Sequence, residues 1–263
     1  MRARAEASTG RWVPVVVAAM CDQYIEPMSF SMATVARLPA SSLCEVCRRW
    51  SVARLCAPCV ERFAAYSHRC ERCALVLASS AVLCGECQLR PPPFEHTICA
   101  VDYAYPWDRL MTQFKFQGMV ELSAPLADRL LAAVRASSCP LPERLVPVPL
   151  SDTRLAERGY NQAWELARRL GRALRISASP LDLTRVLDTP PQVHLSRAQR
   201  LANLRAAFVV PASRADAVRG RRIGLIDDVM TTGATAEAAS HALLRAGAAA
   251  IDLWVVARTP AAD

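Results

Sequence analysis

The chain has 263 residues, 32 Lys and Arg against 24 Asp and Glu, a formal net charge of +8 and 52% hydrophobic residues. That apolar content supports a packed core and excludes a disordered polyelectrolyte, and the length allows one large domain or two small ones. Every basic residue except Lys115 is an arginine; guanidinium forks suit phosphate ligands and nucleic-acid backbones, although an arginine-biased coding sequence would give the same count.

Residues 1–40 come first. Arg2 and Arg4 precede an apolar run, Trp12 to Cys21, that superficially resembles a short signal peptide. Pro14 interrupts it, and Met20 before Cys21 is a poor lipoprotein cleavage site. No other run approaches the ~18–20 apolar residues of a membrane span. The segment reads as a poorly ordered extension.

Residues 41–93 hold eight of the 11 cysteines as four Cys-x-x-Cys pairs: Cys44/Cys47, Cys56/Cys59, Cys70/Cys73 and Cys84/Cys87. Two thiolates at that spacing reach one ion, so the pattern predicts two structural zinc ions and a double zinc-ribbon-like module held by metal rather than by a core. The simplest pairing is sequential, Cys44, Cys47, Cys56 and Cys59 on one ion and Cys70, Cys73, Cys84 and Cys87 on the other; an interleaved arrangement also fits the spacing. A secreted disulfide framework fits poorly, and reduced thiolates imply a cytoplasmic protein. Arg48, Arg49, Arg54, Arg62, Arg69 and Arg72 are interspersed with Trp50, Phe63 and Tyr66. Such a mixture binds single-stranded nucleic acid by charge and stacking, or else the aromatics pack a minimal core and the arginines are solvated.

After Pro91-Pro92-Pro93, residues 94–263 alternate strands with helices. Strands are expected over 97–103, 145–148, 221–226 and 251–257, and helices over 109–116, 122–135, 160–174, 197–208 and 235–246. Alternation predicts an α/β domain with a parallel sheet flanked by helices, whose ligands bind beyond the carboxyl ends of the strands. One such end carries the segment Arg222-Ile223-Gly224-Leu225-Ile226-Asp227-Asp228-Val229-Met230-Thr231-Thr232-Gly233-Ala234-Thr235. An apolar run leads into two carboxylates, then a Thr/Gly loop, then an Ala-rich helix. Adjacent carboxylates accept hydrogen bonds from a vicinal diol, and a helix start offers free N–H groups and a positive dipole to a phosphate.

This segment resembles the phosphoribosyl pyrophosphate (PRPP) signature of type I phosphoribosyltransferases. The resemblance implies that Asp227 and Asp228 take the ribose hydroxyls and that Thr231, Thr232, Gly233, Ala234 and Thr235 wrap the 5′-phosphate, with Mg²⁺ accompanying the pyrophosphate. Hypoxanthine-type enzymes have an Asp where Thr231 stands, which weakens a purine-salvage reading. Pyrophosphate needs cations opposite the phosphate loop. Ser151, Arg154 and Arg158, after the 145–148 strand, and Lys115, the lone ammonium in an arginine-rich chain, are the candidates.

Further segments resemble the ComF family, which joins a cysteine zinc module to a phosphoribosyltransferase-like domain. They are Phe114-Lys115-Phe116-Gln117-Gly118; Val146-Pro147-Val148-Pro149 with Arg158-Gly159-Tyr160-Asn161-Gln162-Ala163; and Thr189, Pro190, Gln192, Leu195, Arg200, Asn203 and Ala207-Phe208. Gln192, Arg200 and Asn203 belong to a stretch that could close over substrate. The resemblance implies a role in DNA uptake and transformation at the cytoplasmic side of the inner membrane, with PRPP, single-stranded DNA and the uptake machinery as partners. A metabolic phosphoribosyltransferase for nucleobase salvage, and a non-catalytic PRPP or nucleic-acid sensor, are the alternatives.

Overall fold

A computed structural model describes residues 42–78, 80–186 and 207–260. The extension at 1–40 and the candidates Gln192, Arg200 and Asn203 lie outside the described residues.

The sheet follows from four apolar segments bracketed by polar turns. Strands β3 (His96–Asp102), β4 (Arg144–Pro147), β5 (Ser177–Ala178), β8 (Arg222–Met230) and β9 (Ala250–Arg258) form one sheet in the order β3-β9-β8-β4-β5. Every pairing in it is parallel. All nine residues of β9 are buried and, Asp252 and Arg258 aside, apolar, as expected of a strand covered on both faces. Alternation along the strands separates two cores. Ile223, Leu225, Leu253 and Val255 face α8 (Ala234–Arg245). Ile226, Trp254 and Val256 face α3 (Trp107–Phe116), α4 (Ser123–Ala136) and α6 (Gln162–Leu174). The parallel sheet with helices on both faces is the type I phosphoribosyltransferase-like class expected from the sequence.

The cysteine-rich segment contains β1 (Ser42–Leu43), β2 (Trp50–Ser51), α1 (Ala57–Phe63) and α2 (Gly85–Leu89). It joins both cores. Leu55, Val46, Val60 and Phe63 pack with the α3–α4 side, whereas Cys70, Cys73, Cys87 and Leu75 pack with the α8 side. Polar ties accompany the packing. The indole Nε1 of Trp107 donates to the Phe63 carbonyl at 2.7 Å, Arg72 donates to the Phe94 carbonyl at 2.8 Å, and the Thr97 N–H donates to the Glu71 carbonyl at 2.7 Å.

Three expectations are corrected. The strand predicted to stop at Ile226 continues through both acids to Met230, because Asp227, Val229 and Met230 keep their register with Val255, Ala257 and Arg258 of β9. Phe208, read as the end of a helix, belongs to strand β7 (Phe208–Val209), paired antiparallel with β6 (Thr184–Arg185). Residues 152–158, given no element, form the short helix α5 (Asp152–Arg158), capped by the Ser151 side chain and ended by Gly159 at φ 75°. A short α7 (Ala215–Val218) precedes β8.

Trp107 is 2% exposed and is the hydrogen-bonded anchor between the two sequence regions. Trp107→Phe keeps an aromatic ring but orphans the Phe63 carbonyl and leaves a void. The expected cost is about 2 kcal/mol in urea unfolding. The variant should also expose the first cysteine group to thiol reagents faster than the second.

Candidate functional site

The two acids sit on β8 beside a loop that turns directly into α8. Gly233 occupies the position before the helix at φ 86°, a left-handed conformation that disfavours any side chain. Thr231 and Thr232 are exposed and Thr235 is half-buried. Asp227, Thr231, Gly233, Ala234 and Thr235 line a small cavity of about 30 Å³ whose floor is Leu253 and Val255. Asp227 thus shares one concavity with the start of α8, while Asp228 and Thr232 do not line it.

Lys115 comes to this place from α3. Its Nζ lies 2.9 Å from Asp228 Oδ1, with Asp228 itself 7% exposed. The Arg158-Gly159-Tyr160-Asn161-Gln162 segment builds the support. Tyr160 packs on Phe114 at 5.7 Å between ring centroids and donates its hydroxyl to the Phe114 carbonyl, one residue before Lys115. Asn161 caps α6 by accepting from the Trp164 N–H at 3.2 Å and donates to the Val148 carbonyl at 3.0 Å, which ties the α6 start to the end of β4. Arg158 donates to Gln162 Oε1 at 2.9 Å and lies over the exposed Phe116 ring at 4.9 Å. Arg158 therefore joins the end of α3 that carries Lys115. Ser151 is buried and accepts from the Arg154 N–H at 3.4 Å, while the Arg154 side chain is on the exposed face of α5. Sequence reasoning matched Tyr160 and Asn161 to a motif without giving them a role. Their role is structural support for the ammonium and for the β4 end.

Electrostatics follow from this packing. Burial pushes the Asp227 carboxyl up to about 7, the Asp228 charge adds to the rise, and Lys115 opposes it. Two adjacent carboxylates served by one ammonium retain a proton more readily than either alone.

The eight paired cysteines form two groups, Cys44, Cys47, Cys56, Cys59 and Cys70, Cys73, Cys84, Cys87, with sulfurs within 4.8 Å of one another in each. The pairing is sequential. Each group is built the same way. The first Cys-x-x-Cys is a tight turn whose next residue has positive φ, 61° at Arg48 and 55° at Ala74. The second begins a short helix, with Cys56 or Cys84 at its N-cap. N–H groups aim at sulfur, Cys56 N to Cys44 Sγ at 3.4 Å and Cys84 N to Cys70 Sγ at 3.3 Å. Burial opposes ionisation of Cys44, but backbone N–H bonds from Cys47, Cys56 and Val46 prevail and draw its thiol down to about 6. Burial and neighbouring sulfurs push Cys59 up to about 12. Four thiolates therefore need a cation. Zn–S bonds of ~2.3 Å in a tetrahedron put sulfurs ~3.8 Å apart. Cys47 and Cys56 are 3.7 Å apart, Cys73 and Cys84 3.6 Å, so both groups fit such an ion.

A larger groove, about 560 Å³, runs between the segment joining the two cysteine groups and the β3–α4 face. Tyr66, Arg69, His96, Thr97, Arg129 and Ser138 line it, and Tyr66 is 90% exposed. Arg258, absent from the sequence-level candidates, ends β9 beside the loop between β8 and α8. Its signal in the sequence is a charge closing a strand whose other residues, Asp252 aside, are apolar.

The raised Asp227 carboxyl has a consequence for stability. Between the unfolded value of 3.8 and about 7 the native chain holds a proton that the unfolded chain has released. Stability of the ligand-free protein therefore falls as pH rises through that window. Asp227→Asn removes this term, so its stability relative to the wild type should increase between pH 5.5 and pH 8. Urea midpoints at the two pH values measure it; a constant difference would contradict the shift.

No protein-family model matches the chain. Among the described residues no helix is long and apolar enough to cross a membrane. The chain is 34% identical over 232 residues to "DNA utilization protein YhgH" of Salmonella typhi, covering 84% of this chain and 99% of that one. It is 35% identical over 208 residues to "Competence protein F" of Haemophilus influenzae, covering 78% and 90%. A PRPP amidotransferase from B. subtilis superposes on 51% of the chain at 19% identity and a TM-score of 0.35, which adds nothing to the fold read from the sheet. Relatives this similar over nearly their whole length identify the chain as a member of the ComF family.

Proposed function

We propose that the Asp227–Thr235 site binds PRPP and that the protein works with single-stranded DNA on the cytoplasmic side of the inner membrane. The observation that carries the PRPP reading is a small cavity shared by Asp227, Thr231, Thr235 and a glycine-turned helix start, with the adjacent Asp228 bonded to Lys115. Asp227 and Asp228 accept the ribose 2′- and 3′-hydroxyl protons, and N–H groups of Thr232 to Thr235 take the 5′-phosphate. Lys115 now bonded to Asp228 is released when hydroxyls replace it, and turns its ammonium with Arg158 toward the pyrophosphate. Mg²⁺ supplies charge neutralisation of that leaving group. Thr231 is a hydroxyl, not a carboxyl, at the place where a purine-salvage enzyme handles a base proton, which favours the DNA reading over nucleobase salvage.

The cysteine groups serve as two structural zinc sites of a module spanning 41–93 on a phosphoribosyltransferase-like domain spanning 94–263. DNA work is supported by the printed names of the relatives, "DNA utilization" and "Competence". The groove with an exposed Tyr66 beside Arg69 and Arg129 supports it too, since a strand needs stacking faces and cations.

Replacing Asp227 and Asp228 by Asn leaves shape nearly intact but removes charged acceptors worth roughly 1.5–3 kcal/mol each. PRPP affinity by calorimetry should fall at least tenfold with the fold unchanged by circular dichroism; equal affinity would exclude this site.

Binding of single-stranded DNA should weaken with salt, the slope of log affinity against log salt being roughly −0.7 per phosphate neutralised. Arg129→Gln should flatten that slope by about one phosphate's share, and Tyr66→Ala should lower affinity with the slope unchanged. A salt-independent response would remove the groove from the reading.

A further inference from the structure

Arg258 is a buried guanidinium, 7% exposed, whose acceptors among the described residues are all uncharged. Its Nε donates to the Cys73 carbonyl at 3.0 Å, inside the Cys70–Cys73 turn of the second cysteine group. Its Nη1 reaches the Met230 carbonyl at 3.2 Å, the Thr231 carbonyl, and the Thr259 carbonyl and hydroxyl at 2.8 and 3.1 Å. One side chain thus holds both the turn that carries two metal ligands and the first residues of the phosphate loop.

The orientation of the loop peptides matters. The cis peptide recorded among the described residues is Tyr105-Pro106, so the peptides after Met230 and Thr231 are trans, with C=O and N–H pointing in opposite directions. The Met230 carbonyl is also held by the Thr259 N–H at 3.1 Å, so Arg258 acts chiefly on the Thr231 carbonyl; drawing that carbonyl toward Arg258 turns the N–H of Thr232 to the other side. A carbonyl repels a phosphate and an N–H attracts it, so this rotation decides whether the loop accepts an anion. The same guanidinium needs counter-charge, because burying a cation among neutral acceptors is costly. Four thiolates around a dication carry a net charge of −2, and Cys73 is one of them.

We infer that Arg258 is a positioning residue that couples occupancy of the Cys70/Cys73/Cys84/Cys87 metal site to the anion-binding conformation of the Met230–Gly233 loop. Loading that site fixes the Cys73 carbonyl and supplies negative charge, which anchors Arg258 and through it the loop. Coupling free energy is reciprocal, so a phosphate ligand on the loop must in turn slow loss of that metal. The inference rests on the PRPP reading for its ligand, but the loop geometry does not.

The test uses the full-length zinc-loaded protein and ribose 5-phosphate, which addresses the loop and the carboxylates without pyrophosphate. Elemental analysis should give two zinc ions for wild type and Arg258→Lys alike. In the wild type, saturating ribose 5-phosphate should slow chelator-driven release of one of the two ions by about tenfold, the share of a charge-assisted contact, and leave the other unchanged. Arg258→Lys keeps the charge but cannot fork to both partners, so the protection should vanish and ribose 5-phosphate affinity should fall by a similar factor. Hydrogen exchange on the wild type gives a second readout. Withdrawing the more protected ion should raise amide exchange at residues 230–234, and withdrawing the first should not. Equal protection in both proteins, or exchange at 230–234 indifferent to metal, overturns the coupling. Failure of ribose 5-phosphate to bind at all would overturn the PRPP reading instead, and the exchange experiment would still decide the coupling.

Discussion

Two carboxylates side by side in a strand that is otherwise buried repel each other, and the surroundings of β8 answer that repulsion. Asp227 answers it by holding a proton, with its carboxyl raised to about 7 by burial and by its neighbour. Asp228 answers it with Lys115 at 2.9 Å. An ammonium on a four-carbon stem is easily misplaced, so α3 is fixed in turn. Tyr160 clasps the Phe114 carbonyl, and Asn161 binds the β4 end to the start of α6. Lys115 and Asp228, distant in sequence, are therefore one electrostatic unit, and the Arg-Gly-Tyr-Asn-Gln motif serves the carboxylates without touching them.

Arg258 poses the same problem with the sign reversed. A cation under the sheet's end is tolerated because several backbone carbonyls converge on it. The groups recruited to solvate it belong to the Cys70–Cys73 turn and to the loop between β8 and α8. Burial of charge in this protein is thus a means of fixing distant backbone segments against each other, which apolar packing does less specifically.

The parts legible in sequence were those that local spacing determines. Cysteine spacing gave the eight residues that gather into two groups of four; short loops made sequential grouping the simpler arrangement while an interleaved one also fitted. Alternating apolar segments gave the parallel sheet, and Gly233 with its flanking Thr and Asp residues gave the loop. What spacing could not give was set by partners far along the chain. β8 runs past Ile226 because β9 continues to pair with it, and local polarity suggests the opposite. Phe208 reads as helical from its Ala-rich neighbours, but pairing with Arg185 makes it a strand residue. The positive φ at Arg48 and Ala74 is hidden because glycine, the usual signal, is absent; the turn is closed by the Arg48 and Ala74 N–H groups donating to the Cys44 and Cys70 carbonyls at 2.9 and 2.8 Å.

The cysteine-rich segment illustrates how a region too short for its own core can still be stable. Metal is one part of the answer. The other is that its cysteines are shared with the large domain: Cys70, Cys73 and Cys87 are buried in the same cluster as Leu225, Leu253 and Leu243, while Leu55 lies with Trp107 and Trp254 on the opposite face of the sheet. The segment does not dock through one patch that could slide. It grips the sheet from both faces, so the position of each cysteine group relative to β8 and β9 is fixed by core packing. The frame between the Cys73 carbonyl and the Thr231 peptide is therefore close-packed, and Arg258 is the side chain that bonds to both.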